Sequence, residues 1–279
     1  MRAAVHESAD ALEESAVTIE PKIALGFMKS WLEYKPHRDI LEVVGIDSSF
    51  NKPQISGFLI GAVSCVAENV ECREYYSEHK IVQHQDLSEV SRELECKAIR
   101  ELAPRKEVHL LIVDGSIFSF LTNANFSRML EPVMQYLRSH KVIFLSKTSN
   151  AKSALSKDLP CSDIFYYNRL TQKSGFTSPV VDTSFGRNKK IISSYIRLDD
   201  FSPVLKLEML ASDDPTELKN DPTIEICKTL DKMAETSVDG YPMAMRYAHE
   251  DCKISGDDID EIEAVWGCSY LTTSREPLN

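Results

Sequence analysis

Two aspartates stand directly after apolar runs: Asp47 after Leu41–Ile46 (LEVVGI) and Asp114 after Val108–Val113 (VHLLIV). An ionised carboxylate at the end of a buried strand is costly unless it is paired, hydrogen-bonded or bound to a metal. Strand ends beside a crossover are also where α/β sheets collect ligands. Either Asp alone is more often a turn or helix-cap residue, and Asp114-Gly115 is a common turn pair. Two of them on neighbouring strands favour a shared cation. A third carboxylate comes from the helical stretch between them, whose apolar stripe is Leu87, Val90, Leu94, Ala98 and Leu102. At about 100° per residue Glu95 lies beside that stripe and points toward the sheet. Glu93 falls on the opposite face with Glu89, Lys97 and Arg100. His249, in the later run Met243–Asp251, is the fourth candidate. A lone helical His is usually structural or solvated, but near three carboxylates it binds a metal or shuttles a proton.

The elements that must position these residues follow from periodicity. Leu41–Ile46, Ile55–Ala67 and Val70–Val82 read as three strands with short connections, an antiparallel meander in which Asp47 ends the first strand. Asp86–Ala103 reads as a helix capped by Asp86 or Ser88. Val108–Val113 is a strand, Phe126–His140 a helix, Val142–Leu145 a strand and Thr148–Lys157 a short helix. Three antiparallel strands, then helix, strand, helix and strand, is the element order of the RNase H-like fold. The expected class is therefore α/β, a mixed sheet of about five strands flanked by helices, with added helices and strands. Residues 1–38 read as a peripheral helical extension, with an amphipathic stretch from Ile23 to Tyr34. Lys190–Leu198 and Val204–Leu210 read as two further strands, and 174–188 as a loop. Pro222–Glu235, Pro242–Cys252 and Asp257–Trp266 read as helices, with Asp239-Gly240-Tyr241-Pro242 as a helix start. In linear terms this gives an extension over 1–38, a main domain over 39–255 and a helix and tail over 256–279.

Composition excludes several classes. With 43% hydrophobic and 27% charged residues the 279-residue chain is an ordinary globular sequence rather than a disordered one. The longest uncharged apolar run, Ile55–Ala67, is too short to cross a bilayer and contains Gly57 and Gly61. Without an apolar signal core near its start, the chain is expected to be cytoplasmic. Its seven cysteines are scattered and form no CxxC pair, which argues against a zinc ribbon or disulfide scaffold. The formal charge of -11 argues against broad electrostatic binding of nucleic acid, although a carboxylate site offset by bound cations remains compatible with a nuclease.

Seven segments resemble, in order, those of the NurA nucleases: GIDSSF (45–50), RELECKAI (92–99), LLIVDGS (110–116), FLSKT (144–148), SYIRL (194–198), VLKLEM (204–209) and GYPMAMRYAHEDCKI (240–254). The resemblance runs from about residue 40 to 255, and the last block is the most specific. It implies that Asp47, Glu95 and Asp114 hold divalent cations, Mn²⁺ or Mg²⁺ and two in number, and that His249 completes the site. Tyr195 matches the family's strand tyrosine near the metals. Lys147 matches a recurring Ser-Lys and is a candidate phosphate contact. The first motif departs from the family's usual Asp-Gly-Ser, since Ser48 follows Asp47, which puts the local turn in question.

The implied activity is a metal-dependent deoxyribonuclease, a 5′–3′ exonuclease with additional single-strand endonuclease action. It would work in double-strand-break end resection. The implied partners are DNA, a second copy of the chain and a HerA-type hexameric translocase, with no membrane. The competing readings are an RNase H-like binding module without chemistry, and another RNase H-like enzyme such as a junction resolvase or a PIWI-like nuclease. A DxDxT phosphatase is disfavoured because Ser-Ser-Phe follows Asp47, and a nucleotide-driven motor because there is no GxxxxGK[ST] loop.

Overall fold

The computed structural model describes residues 19–37, 41–52, 60–83, 85–122, 124–184, 190–211 and 221–265. In chain order these form α1 (Pro21–Ser30), β1 (Trp31–Glu33), β2 (Val43–Asn51), β3 (Ile60–Asn69), β4 (Glu74–Gln83), α2 (Leu87–Leu102) and β5 (Leu110–Asp114). There follow α3 (Ile117–Leu121), α4 (Ala124–Leu130), a 3-10 turn (Glu131–Val133), α5 (Met134–Arg138), β6 (Val142–Ser146), α6 (Asp163–Leu170), β7 (Gly175–Thr177) and β8 (Val180–Asp182). The remainder comprises β9 (Ile191–Arg197), β10 (Leu205–Leu210), α7 (Pro222–Ala234), β11 (Ser237–Val238), β12 (Tyr241–Pro242), α8 (Met243–Cys252) and α9 (Gly256–Val265). Two compact units result, one from 40–144 with 242–279 and one from 1–39 with 145–241.

The first of these units carries the strand order β4-β3-β2-β5-β6. β2, β3 and β4 form the expected antiparallel meander, and β5 lies parallel to β2 with Val43 opposite Leu110 and Ile46 opposite Val113. The return to a parallel neighbour requires a crossover, which α2 supplies. This is the RNase H-like arrangement in an α/β fold. α2 starts where its cap signal lies: Asp86 accepts a hydrogen bond from the Ser88 backbone N–H at 2.8 Å. Side chains alternate across a strand, so the contact of Ser48 with α2 and of Gly45 with α8 places these helices on opposite faces of the sheet.

Several expectations are corrected, two in this unit and one at the 239–242 boundary. Asp47 does not end its strand. β2 continues to Asn51 because β3 pairs with it as far as Asn51 opposite Ala62. What stops beside Asp47 is the parallel pairing to β5. The helix expected over Phe126–His140 is broken into α4, a 3-10 turn and α5 at Pro132, which lacks an N–H and crowds the preceding turn. Asp239 and Gly240 form not a helix start but the turn between β11 and β12. Both have positive φ, 53° and 72°, as a two-residue hairpin requires, and α8 begins only at Met243.

In the other unit β1, β7, β9 and β10 are successive neighbours, and β8 also pairs with β9. The amphipathic stretch from Ile23 is helical only to Ser30. Trp31–Glu33 instead pairs with β7, which itself comes from the stretch expected to be a loop. Phe27, Trp31, Tyr166, Tyr167 and Tyr195 form one apolar cluster. The helix expected over Thr148–Lys157 is absent. The Asp163 carboxylate accepts bonds from Ser153 N at 2.8 Å, Ser153 Oγ at 3.0 Å and Ser156 Oγ at 2.5 Å, and these local bonds compete with a helical ladder. The helix forms one segment later, as α6.

Among the described residues Cys65, Cys72, Cys96, Cys161, Cys227 and Cys252 are free thiols, and no helix is long and apolar enough to cross a membrane. Expectations for residues 1–18, 55–59, 185–188 and Trp266 lie outside the described residues.

Candidate active site

Asp47, Glu95, Asp114 and His249 all belong to the 40–144 and 242–279 unit. Asp47 and Asp114 immediately follow the last paired residues of the parallel strands, Ile46 and Val113, so they stand side by side. By alternation both occupy the α8 face. Beyond them β5 leaves the sheet at Gly115, whose φ of +99° suits a residue without a side chain. Glu95 reaches β2 from the α2 side, at Ser48.

Gly45 fixes the other wall. A Cβ there would meet the Ala244 carbonyl carbon and oxygen at 2.5 Å, so the α8 backbone lies directly on β2. That close approach carries His249 to Asp47, with Nδ1 2.7 Å from Oδ2. Asp47 Oδ1 accepts from the Ser48 backbone N–H at 2.7 Å. Asp47 is buried, whereas the His249 side chain is 56% exposed. The ring thus meets the carboxylate through Nδ1 and stays partly open to solvent. A carboxylate on one ring nitrogen orients the imidazole and fixes the role of the other.

Glu95 is 2% exposed, while Glu93 on the opposite face of α2 is solvated. Burial pushes the Glu95 carboxyl up, against the pull of the Arg92 charge and of hydrogen bonds from Ser48 and Arg92, and the Asp47 charge adds to the rise. Ser48 Oγ donates to Glu95 Oε1 and lies 2.6 Å from Ser91 Oγ. Arg92 Nη1 donates to Glu95 Oε2 at 2.7 Å. Buried Cys252 reports the same convergence: burial first, then the charges of Asp47, Asp114 and Glu95, push its thiol far up.

Two participants were not singled out from sequence. Ser48, marked only as a departure from a family glycine, lies within β2 and hydrogen-bonds the third carboxylate. The strand continues through it, so no glycine conformation is needed there. Arg92 carries a recognisable signal, an (i, i+3) pairing with Glu95, which periodicity alone did not rank. Lys147 and Tyr195 lie in the other unit. Lys147 is exposed, with Nζ 4.4 Å from the centroid of the Tyr241 ring. Tyr195 packs on Tyr167 with centroids 5.2 Å apart, and burial pushes its phenol up to about 12.

Three carboxylates are hard oxygen donors of the kind that suit Mn²⁺ or Mg²⁺, and an added imidazole favours Mn²⁺ of the two. Asp47 and Glu95 are both buried, and a bound cation would offset their charge. The donor set therefore fits divalent ions in chemistry. Among the described residues no three His, Cys, Asp or Glu side chains form a ready cage, because His249 engages Asp47 while Ser48 and Arg92 engage Glu95.

Comparison with known proteins adds the following. The sequence profile of the NurA domain matches residues 41–254. The DNA double-strand break repair nuclease NurA of Saccharolobus solfataricus is 24% identical over 138 residues, covering 45% of this chain and 38% of that protein. The chain thus spans well under half the length of this curated relative. The crystal structure of the NurA nuclease from Sulfolobus solfataricus matches with a TM-score of 0.71 and 18% identity, over 100% of this chain and 96% of that one. A NurA crystal structure bound to dAMP and manganese matches with a TM-score of 0.54 and 11% identity, over 98% of each chain.

Proposed function

The chain belongs to the NurA domain family, and from that membership and its carboxylate cluster we propose that it is a metal-dependent deoxyribonuclease. The observation that carries this reading is the position of Asp47 and Asp114 where two parallel strands part, with His249 on Asp47 and buried Glu95 on the adjacent Ser48. The manganese and dAMP in a structural neighbour support the choice of ion and of substrate class.

Asp47, Glu95 and Asp114 would hold two Mn²⁺ or Mg²⁺ ions, with His249 as the nitrogen donor. Bound there, such ions activate water and stabilise the leaving 3′ oxygen of a phosphodiester, typically from positions about 3.5–4 Å apart. The chain's own residues do the rest. β2 and β5 hold the backbones of the two aspartates in register. α2 brings Glu95 in from the dry side of the sheet, where the low polarity strengthens its attraction for a cation. If His249 does not itself bind an ion, its partly exposed ring would carry a proton between the site and water. Lys147 is a candidate phosphate contact.

At the finer level we propose 5′–3′ exonuclease action, with single-strand endonuclease action as a second mode, in double-strand-break end resection. The chain would act as a homodimer in the cytoplasm, docked on a HerA-type hexameric translocase. The formal charge of -11 supports dependence on such a motor, since an acidic protein holds DNA weakly by itself.

Calorimetric titration with Mn²⁺ tests the site. The wild type should bind the ion, and Asp47→Ala should bind it at least about tenfold more weakly, the scale expected even for residues that only support a ligand. Equal binding by both proteins would remove Asp47 from the site. No binding by the wild type would favour the RNase H-like binding module without chemistry.

A further inference from the structure

Arg92 is held in an unusual place for a helix-surface arginine. Its Nη1 donates to Glu95 Oε2 at 2.7 Å, and its guanidinium carbon lies 4.9 Å from the centroid of the Phe120 ring. Its Nη2 and Nη1 would be 3.8 and 3.9 Å from a Cβ placed on Gly115, so the guanidinium lies against the turn that follows Asp114. It therefore touches the surroundings of two of the three carboxylates. The side chain is nevertheless 24% exposed, so one edge of the group is open to solvent.

The electrostatics of that arrangement change with occupancy. Arg92 is the cation that the structure places on buried Glu95, through the 2.7 Å contact of Nη1 with Oε2. With a divalent ion held by Glu95, Arg92 would lose that partner and be repelled. Phe120 and the side-chain-free Gly115 surface keep Arg92 beside the cluster while its donors are released. A guanidinium with unpaired donors at the solvent edge of a cation site is suited to one ligand above others, the non-bridging oxygens of a phosphate, which it binds with a two-pronged fork.

We propose that Arg92 is a phosphate-binding residue of this site, serving as the counter-ion of Glu95 until divalent cations arrive and then binding the phosphodiester beside the scissile bond. The proposal rests on the nuclease reading above. It separates from a purely structural ion pair because the two roles predict opposite effects on metal affinity. A structural Arg92 orients Glu95, and its loss weakens cation binding. An exchanging Arg92 competes with the cation, and its loss leaves binding unchanged or tightens it.

The experiment uses full-length wild type, Arg92→Gln and Arg92→Lys, each checked for unchanged circular dichroism. Mn²⁺ affinity is measured by calorimetry without DNA, and affinity for a single-stranded oligonucleotide by fluorescence anisotropy in Ca²⁺ and in EDTA. Arg92→Gln should bind Mn²⁺ at least as tightly as wild type and bind DNA about tenfold more weakly in Ca²⁺, with no difference in EDTA. Its log–log salt dependence in Ca²⁺ should fall by about the 0.7 expected for one lost single-strand phosphate contact. Arg92→Lys keeps the charge without the fork and should fall between the two. A tenfold loss of Mn²⁺ affinity in Arg92→Gln, or unchanged DNA affinity in Ca²⁺, overturns the proposal while leaving the nuclease reading intact. Failure of the wild type to bind Mn²⁺ overturns both, and failure to bind the oligonucleotide in Ca²⁺ overturns this proposal alone.

Discussion

Gly45→Ala tests how the fold delivers His249. The added Cβ would lie 2.5 Å from the Ala244 carbonyl carbon and oxygen and 2.6 Å from Met245 N. All three are backbone atoms that no rotamer change can move. Ordinary contact begins near 3.4 Å, so α8 must retreat by about 0.9 Å. Overpacking of this kind costs about 1–3 kcal/mol, and rigid opposing backbone places it at the upper end. The narrower unfolded ensemble of alanine returns about 0.4–1 kcal/mol, which leaves a net loss of about 2 kcal/mol. The same retreat lengthens the 2.7 Å contact between His249 Nδ1 and Asp47 Oδ2 to about 3.6 Å, beyond hydrogen-bonding range. Urea unfolding followed by far-ultraviolet circular dichroism measures the first effect, and the ring resonances of His249 measure the second. A variant within about 0.5 kcal/mol of wild type, with those resonances unmoved, would refute the view that a bare glycine surface seats α8 and aims His249.

Other consequences follow from single groups. Burial, with the nearby carboxylates of Asp251 and Glu74, pushes Glu68 up to about 7. A carboxyl raised in the folded state holds a proton that the unfolded chain has already released. Its contribution to stability is therefore full at low pH and is lost as pH rises from about 4 through 7. Glu68→Gln should remove that decline from the urea midpoint measured against pH, and an identical slope in both proteins would contradict it. Asp163→Ala leaves Ser153 N–H and two serine hydroxyls without the buried acceptor they share, and should lower stability by about 3 kcal/mol in urea titration. Tyr195→Phe should leave DNA cleavage within about twofold of wild type, since a phenol stacked in an apolar cluster and raised to about 12 is a poor proton donor near neutrality. A hundredfold loss would instead return Tyr195 to the chemistry.

The core of the fold was legible because its signals are local and strong. The run VHLLIV, the strand LEVVGI and the stripe on α2 each declare an element and its buried face, and the cap at Asp86 marks a boundary that the structure repeats. The orientation of Glu95 against Glu93 was legible for the same reason, since a helical face is set by residue spacing. The failures have a different physical origin. Trp31 extends an apolar helical pattern, and only its pairing with β7, far along the chain, makes it a strand. Residues 148–157 have acceptable helix propensity, which bonds to the Asp163 carboxylate override. Ser48 and Arg92 could not be ranked because their significance depends on what stands opposite: a serine in a strand and an arginine on a helix are ordinary until both are found on the same buried carboxylate.

The central claim is that these carboxylates form a metal-dependent nuclease site, and digestion of end-labelled linear single- and double-stranded DNA tests it most directly. Wild type and Asp114→Ala are compared in Mn²⁺, Mg²⁺ and EDTA, with and without a HerA-type translocase. The wild type should cleave only with the divalent ion and Asp114→Ala should not cleave, with the position of the label giving the polarity. Cleavage that persists in EDTA or in Asp114→Ala would contradict the claim, as would no cleavage under any condition, with the translocase included.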